Sequence, residues 1–137
     1  MVFDNILLFA VLEVDIMVEL PIYEGVDAVM TCVLPSYEHE LLVNWWRITV
    51  ADSAEQIQRH ILSSRMVEGK IKHSVSAWFD NIRSVTTVDT YHTIKIHSPT
   101  LEDSGEYWCE VVVDGEQQVS DKVNVTVIGK QLSLIHI

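Results

Sequence analysis

Basic residues are scarce in this chain. Nine lysines and arginines stand against 20 aspartates and glutamates, a formal net charge of −11 over 137 residues. No Lys/Arg run occurs, and the densest basic stretch is GKIK (69–72). A field of this sign repels phosphate backbones, so a nucleic-acid partner is not expected. Long apolar runs are missing as well. ILLFAVL (6–12) falls far short of the ~20 residues that a membrane span requires, and the tail GKQLSLIHI (129–137) carries no span either. ILLFAVL has two readings: the apolar region of a signal peptide, or an ordinary leading strand. Asp4 precedes it, no Lys or Arg does, and no small-x-small cleavage motif stands out after it.

The residue sets of catalysis are also wanting. No Gly-rich phosphate loop and no Ser–His–Asp or Cys–His motif is recognisable. Six histidines are scattered: His39, His60, His73, His92, His97 and His136. The densest acidic-imidazole cluster, EHE (38–40), has no second ligand cluster to complete a metal site and reads as a solvated loop. No enzyme activity, cofactor or metal is therefore expected. Two cysteines, Cys32 and Cys109, fall below the count for a zinc site without histidines and are the minimum for a disulfide.

What is present suits one domain. Hydrophobic residues make up 48% and charged residues 21%, enough apolar material to fill a core. Short alternating runs dominate, separated by turn residues, which is an all-β signature. In EGVDAVMTCVLP (24–35), Ala28, Met30, Cys32 and Leu34 share a face. In LLVNWWRITV (41–50), Val43, Trp45 and Arg47 lie on one face, with Asn44, Trp46 and Ile48 on the other. HSVSAWF (73–79) alternates, and YHTIKIHS (91–98) turns Ile94 and Ile96 inward. EYWCEVVVDGEQQVSDKVNVTVI (106–128) reads as a hairpin turning at Asp114-Gly115, with Val119, Val123, Val125 and Val127 on the returning strand. The exception is SAEQIQRHILSSRM (53–66), which resembles a short helix with Ile57, Ile61 and Leu62 on one face. Strands at this spacing form a sandwich or a barrel, and both cysteines face its interior.

The segment LEDSGEYWCE (101–110) narrows the choice. Leu101-x-Asp103-x-Gly105-x-Tyr107-x-Cys109, following Ile94-x-Ile96, resembles the E–F corner of the immunoglobulin superfamily. Cys32 occupies the strand B position, and Trp45 in VNWWR the strand C position. The resemblance implies a Cys32–Cys109 disulfide covered by Trp45, and a Tyr107 hydroxyl tied to nearby backbone. On the loop-entropy model such a bridge contributes roughly 4–5 kcal/mol. It further implies that Gly105 lets the chain turn tightly into strand F, and that Asp103 pairs with a basic residue, for which Arg65 and Lys70 are both candidates. The spacing from Trp45 to Cys109 leaves room for extra strands C′ and C″. The fold expected is therefore an all-β, immunoglobulin-like Greek-key sandwich of the variable (V-set) type. That reading turns 53–66 into strands C′ and C″. The divisions expected are a leader over 1–13, the domain over 14–128 and a tail over 129–137.

The family's binding habits set the functional expectations. The Phe-Gly-x-Gly bulge of rearranged antigen receptors is absent from strand G, so the chain does not resemble an antibody or T-cell receptor chain. Some V-set lectins hold an acidic sugar with a strand F arginine, but EYWCEVVV offers two glutamates and none. A second disulfide bracing the C–C′ side is also absent. The outward face of the GFCC′ sheet remains. Alternation places Trp108, Glu110 and Val112 of strand F there, beside Asn44, Trp46 and Ile48 of strand C. Trp is enriched in binding hot spots, so these six residues form the candidate surface for a protein ligand or a homophilic partner. Asn124 in NVT fits an N-glycan acceptor, in keeping with an extracellular or cell-surface setting. The resemblance thus implies a ligand-binding receptor ectodomain. The rivals are a secreted soluble immune-type binding protein and an intracellular structural (I-set) domain with reduced thiols.

Overall fold

The computed structural model describes residues 14–33, 41–50, 54–76, 85–87, 93–113 and 115–129. Strict apolar/polar alternation makes its strands. In β3 (Ala28–Val33), Ala28, Met30 and Cys32 are buried while Val29 and Thr31 are half-exposed. In β4 (Leu42–Val50), Val43, Trp45 and Arg47 point inward. β8 (Thr93–Ile96) buries Ile94 and Ile96. A period of two fits only an extended chain with one face against a core.

Two sheets result. β1 (Asp15–Val18), β3, β8 and β7 (Val85–Thr87) form the first, in the order β1-β3-β8-β7. The second runs β10-β9-β4-β5-β6, built from β10 (Glu116–Val119), β9 (Gly105–Val113), β4, β5 (Gln56–Val67) and β6 (Lys70–Val75). β11 (Val123–Val125) also pairs with β9, beyond β10 along the chain. β2 (Ile22–Tyr23) pairs in parallel with β12 (Val127–Ile128) as a small two-stranded sheet, so the chain leaves the β3 partner after β1 and meets the last strand instead. Pro21, lacking an amide donor, sits at that change of partner. Among the described residues there is no α-helix, only a 3-10 turn at Leu101–Asp103.

The core lies between the sheets. Met30, Cys32, Ile94 and Ile96 of the first meet Val43, Trp45, Ile61, Leu62, Tyr107, Cys109 and Val111 of the second, all essentially inaccessible to water. The described part of 53–66, from residue 54 on, does not divide into two strands. One long strand, β5, spans Gln56–Val67, and the C″ strand is β6, reached through a Glu68-Gly69 turn. The helical appearance of 53–66 has a physical source. Trp45 pairs with Leu62 but Trp46 with His60, so Ile61 is an extra residue, a bulge. Ile61 and Leu62 are consequently both buried, which breaks the alternation of two and imitates a helical stripe.

The hairpin expected from Asp114-Gly115 forms. Glu116 pairs with Val113, and Gly115 takes φ 83°, a left-handed conformation that glycine adopts without Cβ strain. The returning strand is broken, however. Val119 pairs with Glu110 but Val123 with Tyr107, so the β10–β11 side carries one residue more than β9 across the break. Ser120 holds this bulge: its N–H donates to the Cys109 carbonyl at 2.9 Å, and its Oγ accepts the Cys109 N–H at 3.0 Å. The glycine motif of antigen receptors is absent, yet a serine side chain supplies a bulge of the same strand. Val119 is exposed, whereas Val125 and Val127 join the core. Leu34, EHE (38–40), Asp114 and both terminal segments, 1–13 and 130–137, lie outside the described residues.

Candidate functional site

Strand register fixes the inner pin of the sandwich first. Cys32 of β3 and Cys109 of β9 form a disulfide with Cα atoms 6.0 Å apart, closing a 77-residue separation. Trp45 stands directly opposite Cys109 in the β4–β9 ladder, inward and fully buried. One corner of the sheet is tied beneath it. The Tyr107 hydroxyl donates to the Asp103 carbonyl oxygen, as the resemblance implies. The Asp103 carboxylate accepts the Thr100 N–H at 2.8 Å and Arg47 Nη1 at 3.4 Å. Arg47 Nη2 donates to the Glu102 carbonyl at 2.9 Å, and its guanidinium carbon lies 5.6 Å from the Tyr107 ring centroid.

The basic partner of Asp103 is thus Arg47, not Arg65 or Lys70. Arg65 is exposed opposite Leu42, and Lys70 is exposed at the start of β6. Arg47 pairs with Tyr107 on the inward face, which aims it at the 3-10 turn. The signal was in the sequence: an arginine on the inward side of a strand must find a buried anion. Gly105 opens β9 beside this corner. A Cβ there would meet the Ile48 carbonyl oxygen at 2.7 Å, so β9 approaches β4 more closely than a side chain permits.

The outward face of the same sheet gathers the other six candidates. Asn44 pairs with Glu110 and Trp46 with Trp108, while Val112 lies opposite Leu42 and Ile48 opposite Glu106. Five of the six are half-buried. Trp108 is not: register points it outward, but it is only 5% exposed. Trp46 stacks on it, with ring centroids 6.4 Å apart and planes 11° from parallel, and the Lys122 ammonium lies 5.1 Å from its centroid. Trp108 is therefore a floor, and Trp46 is the aromatic that remains partly accessible.

Sequence reasoning missed what surrounds Trp46. The His60 ring stands edge-on to it at 5.0 Å. A hydrogen-bonded chain runs from that ring across the sheet. His60 Nε2 lies 2.8 Å from Ser63 Oγ, Ser63 Oγ–H donates to Asn44 Oδ1, and Asn44 Nδ2 donates to Glu110 Oε1 at 2.9 Å. The order of donors fixes each group. Glu110 as a carboxylate can only accept, so Asn44 turns its amide nitrogen there and its oxygen to Ser63. Ser63 has spent its proton, so His60 must donate from Nε2. Burial pushes the His60 imidazole below its usual pKa, with Glu110 pulling the other way, so the ring is neutral at pH 7. No single motif could have shown this chain, because its members come from three strands. Trp46 Nε1 is buried and has no hydrogen-bond partner among the described residues.

Among the described residues no group of three His, Cys, Asp or Glu side chains could hold a metal ion. No helix there is long and apolar enough to cross a membrane. Asn124 is exposed in β11, paired with Glu106.

The immunoglobulin V-set domain profile matches residues 19–128. With the sandwich, the inter-sheet disulfide and the tyrosine corner, this shows that the chain belongs to the V-set immunoglobulin family. Members are generally binding modules for protein partners rather than enzymes. A comparison with curated proteins finds no match.

Proposed function

We propose that residues 14–128 form an extracellular recognition module, the ligand-binding ectodomain of a surface receptor, which binds a protein partner through the outward face of the β10-β9-β4-β5 sheet. The observation that carries the reading is the aromatic and polar cluster on that face. Trp46 offers a large flat surface, set at a fixed angle by Trp108 beneath and His60 beside it. Its orientation is determined before a partner arrives, so little side-chain entropy remains to be lost on docking. Asn44, Ile48 and Glu110 border it with mixed polar and apolar surface, the usual setting of a hot spot, and Val112 continues the face further along β9. The disulfide supports an oxidising compartment, which favours this reading over an intracellular structural domain. The net charge of −11 favours a heterophilic partner with a basic rim.

The test uses the domain secreted from eukaryotic cells and displayed as a tetramer on an array of cell-surface ectodomains. Saturable binding that Trp46→Ser weakens tenfold or more supports the reading. Binding indifferent to Trp46, or thiols found free in the secreted protein, contradicts it.

A further inference from the structure

The sequon Asn124-Val125-Thr126 lies on the same sheet as the proposed docking surface, and register shows which face it uses. Val123 and Val125 pack inward, so Asn124 points outward, and the Thr126 side chain is exposed with it. Asn124 pairs with Glu106, and Glu106 with Ile48, which places Asn124 in the Ile48 row, two strands from β4. The Trp46–Trp108 row is the next outward row. With strands about 4.8 Å apart and rows about 7 Å apart, Asn124 stands about 12 Å from Trp46. A partner footprint of about 800 Å² has a radius of about 16 Å, so Asn124 falls inside one centred on Trp46.

We infer that Asn124 carries an N-linked oligosaccharide, which stands over the β11 edge of this face and leaves the β4–β5 side open. In the transfer step, Asn124 Nδ2 attacks the anomeric carbon of a lipid-linked oligosaccharide diphosphate. The Nδ2–C1 bond forms, the bond from C1 to the diphosphate oxygen breaks, the lipid diphosphate leaves, and the amide proton passes to a base of the transferase. The glycan then covers the strip where Trp108 is already closed over by Lys122. Modification and packing thereby exclude a partner from the same side. The accessible cluster that remains is Trp46, Ile48, His60 and Gln58, of which Gln58 pairs with Ile48 across β4–β5. This last consequence rests on the docking reading above, whereas the modification and its placement do not.

The experiment therefore uses no partner. The protein is secreted from a glycosylating eukaryotic host, and its Cys32–Cys109 bond is verified by peptide mass. Treatment with a glycan-releasing amidase in heavy-oxygen water should strip an oligosaccharide and leave labelled aspartate at position 124. Asn124→Gln and Thr126→Ala should both remove the glycan, and Thr126→Ser should keep it. A bulky amine-acylating reagent should then modify Lys122 at least threefold more slowly in the glycosylated protein than in the deglycosylated one. Lys95, on the opposite sheet, should react equally in both. Unmodified Asn124 in secreted, disulfide-bonded protein overturns the modification. Equal rates at Lys122 overturn its placement on this face.

Discussion

Substituting Asp103 by Ala removes one member of a buried ion pair and leaves the other in place. Arg47 and Asp103 are 3.4 Å apart, and both side chains are almost wholly buried. At an effective dielectric of about 20, the attraction at that distance is about 5 kcal/mol, much of it offset by the cost of taking both charges out of water. Asp103→Ala forfeits the attraction but keeps the desolvation cost of the guanidinium. The Thr100 N–H loses its carboxylate acceptor as well. The expected loss is about 3–5 kcal/mol, a large part of the 5–15 kcal/mol by which a domain is ordinarily stable. Arg47→Met leaves Asp103 with the Thr100 N–H among its remaining hydrogen bonds and should also be costly. The double substitution should cost less than the sum of the two by about 2–3 kcal/mol, because no stranded charge remains. Equilibrium urea unfolding of the four proteins measures the cycle. Additivity within about 0.5 kcal/mol would refute the coupling, and so would a loss below about 1 kcal/mol for Asp103→Ala.

Other perturbations probe separate links. Tyr107→Phe should lose about 1 kcal/mol with the fold intact, since the bond to the Asp103 carbonyl disappears, and an unchanged denaturant midpoint would contradict the corner. Gly105→Ala should be strongly destabilising, because its Cβ would press on a backbone carbonyl that cannot swing aside, whereas Gly115→Ala should show only the smaller left-handed penalty. Burial lowers the pKa of both His60 and His73 below the unfolded value of about 6.5. The unfolded chain therefore takes up protons first, and stability present above pH 6.5 is lost as pH falls towards the folded values. His60→Gln with His73→Gln should flatten that slope between pH 7 and 5, and an unchanged slope would refute the assignment.

The sequence carried the inner half of this structure well. Alternation named Met30, Cys32, Trp45, Ile94, Ile96 and Cys109 as inward, and all six are buried. It did so because each strand keeps a period of two through these positions. Reading failed where the period breaks. The bulge at Ile61 put two adjacent residues inward and gave one long strand the look of a short helix. Alternation also reports direction, not exposure. Trp108 does point outward, but its neighbours Trp46 and Lys122 close over it, and no local pattern encodes a neighbour from another strand. The same reason hid the Glu110–Asn44–Ser63–His60 chain and left Arg47 unpaired with Asp103, although the inward register of Arg47 was legible.

Trp46 and Trp108 occupy the same row and differ in access, so they separate recognition from folding. Denaturation midpoints and binding of the tetramerised domain to the ectodomain array should be measured on Trp46→Ser and Trp108→Ser together. Trp108→Ser should cost about 3 kcal/mol or more in stability, as a buried aromatic does. Trp46→Ser should cost clearly less, while weakening association by about 2 kcal/mol, roughly 30-fold. If Trp46→Ser instead destabilises as much as Trp108→Ser, and its binding follows only the folded fraction, Trp46 is a core residue and this face is not the recognition surface.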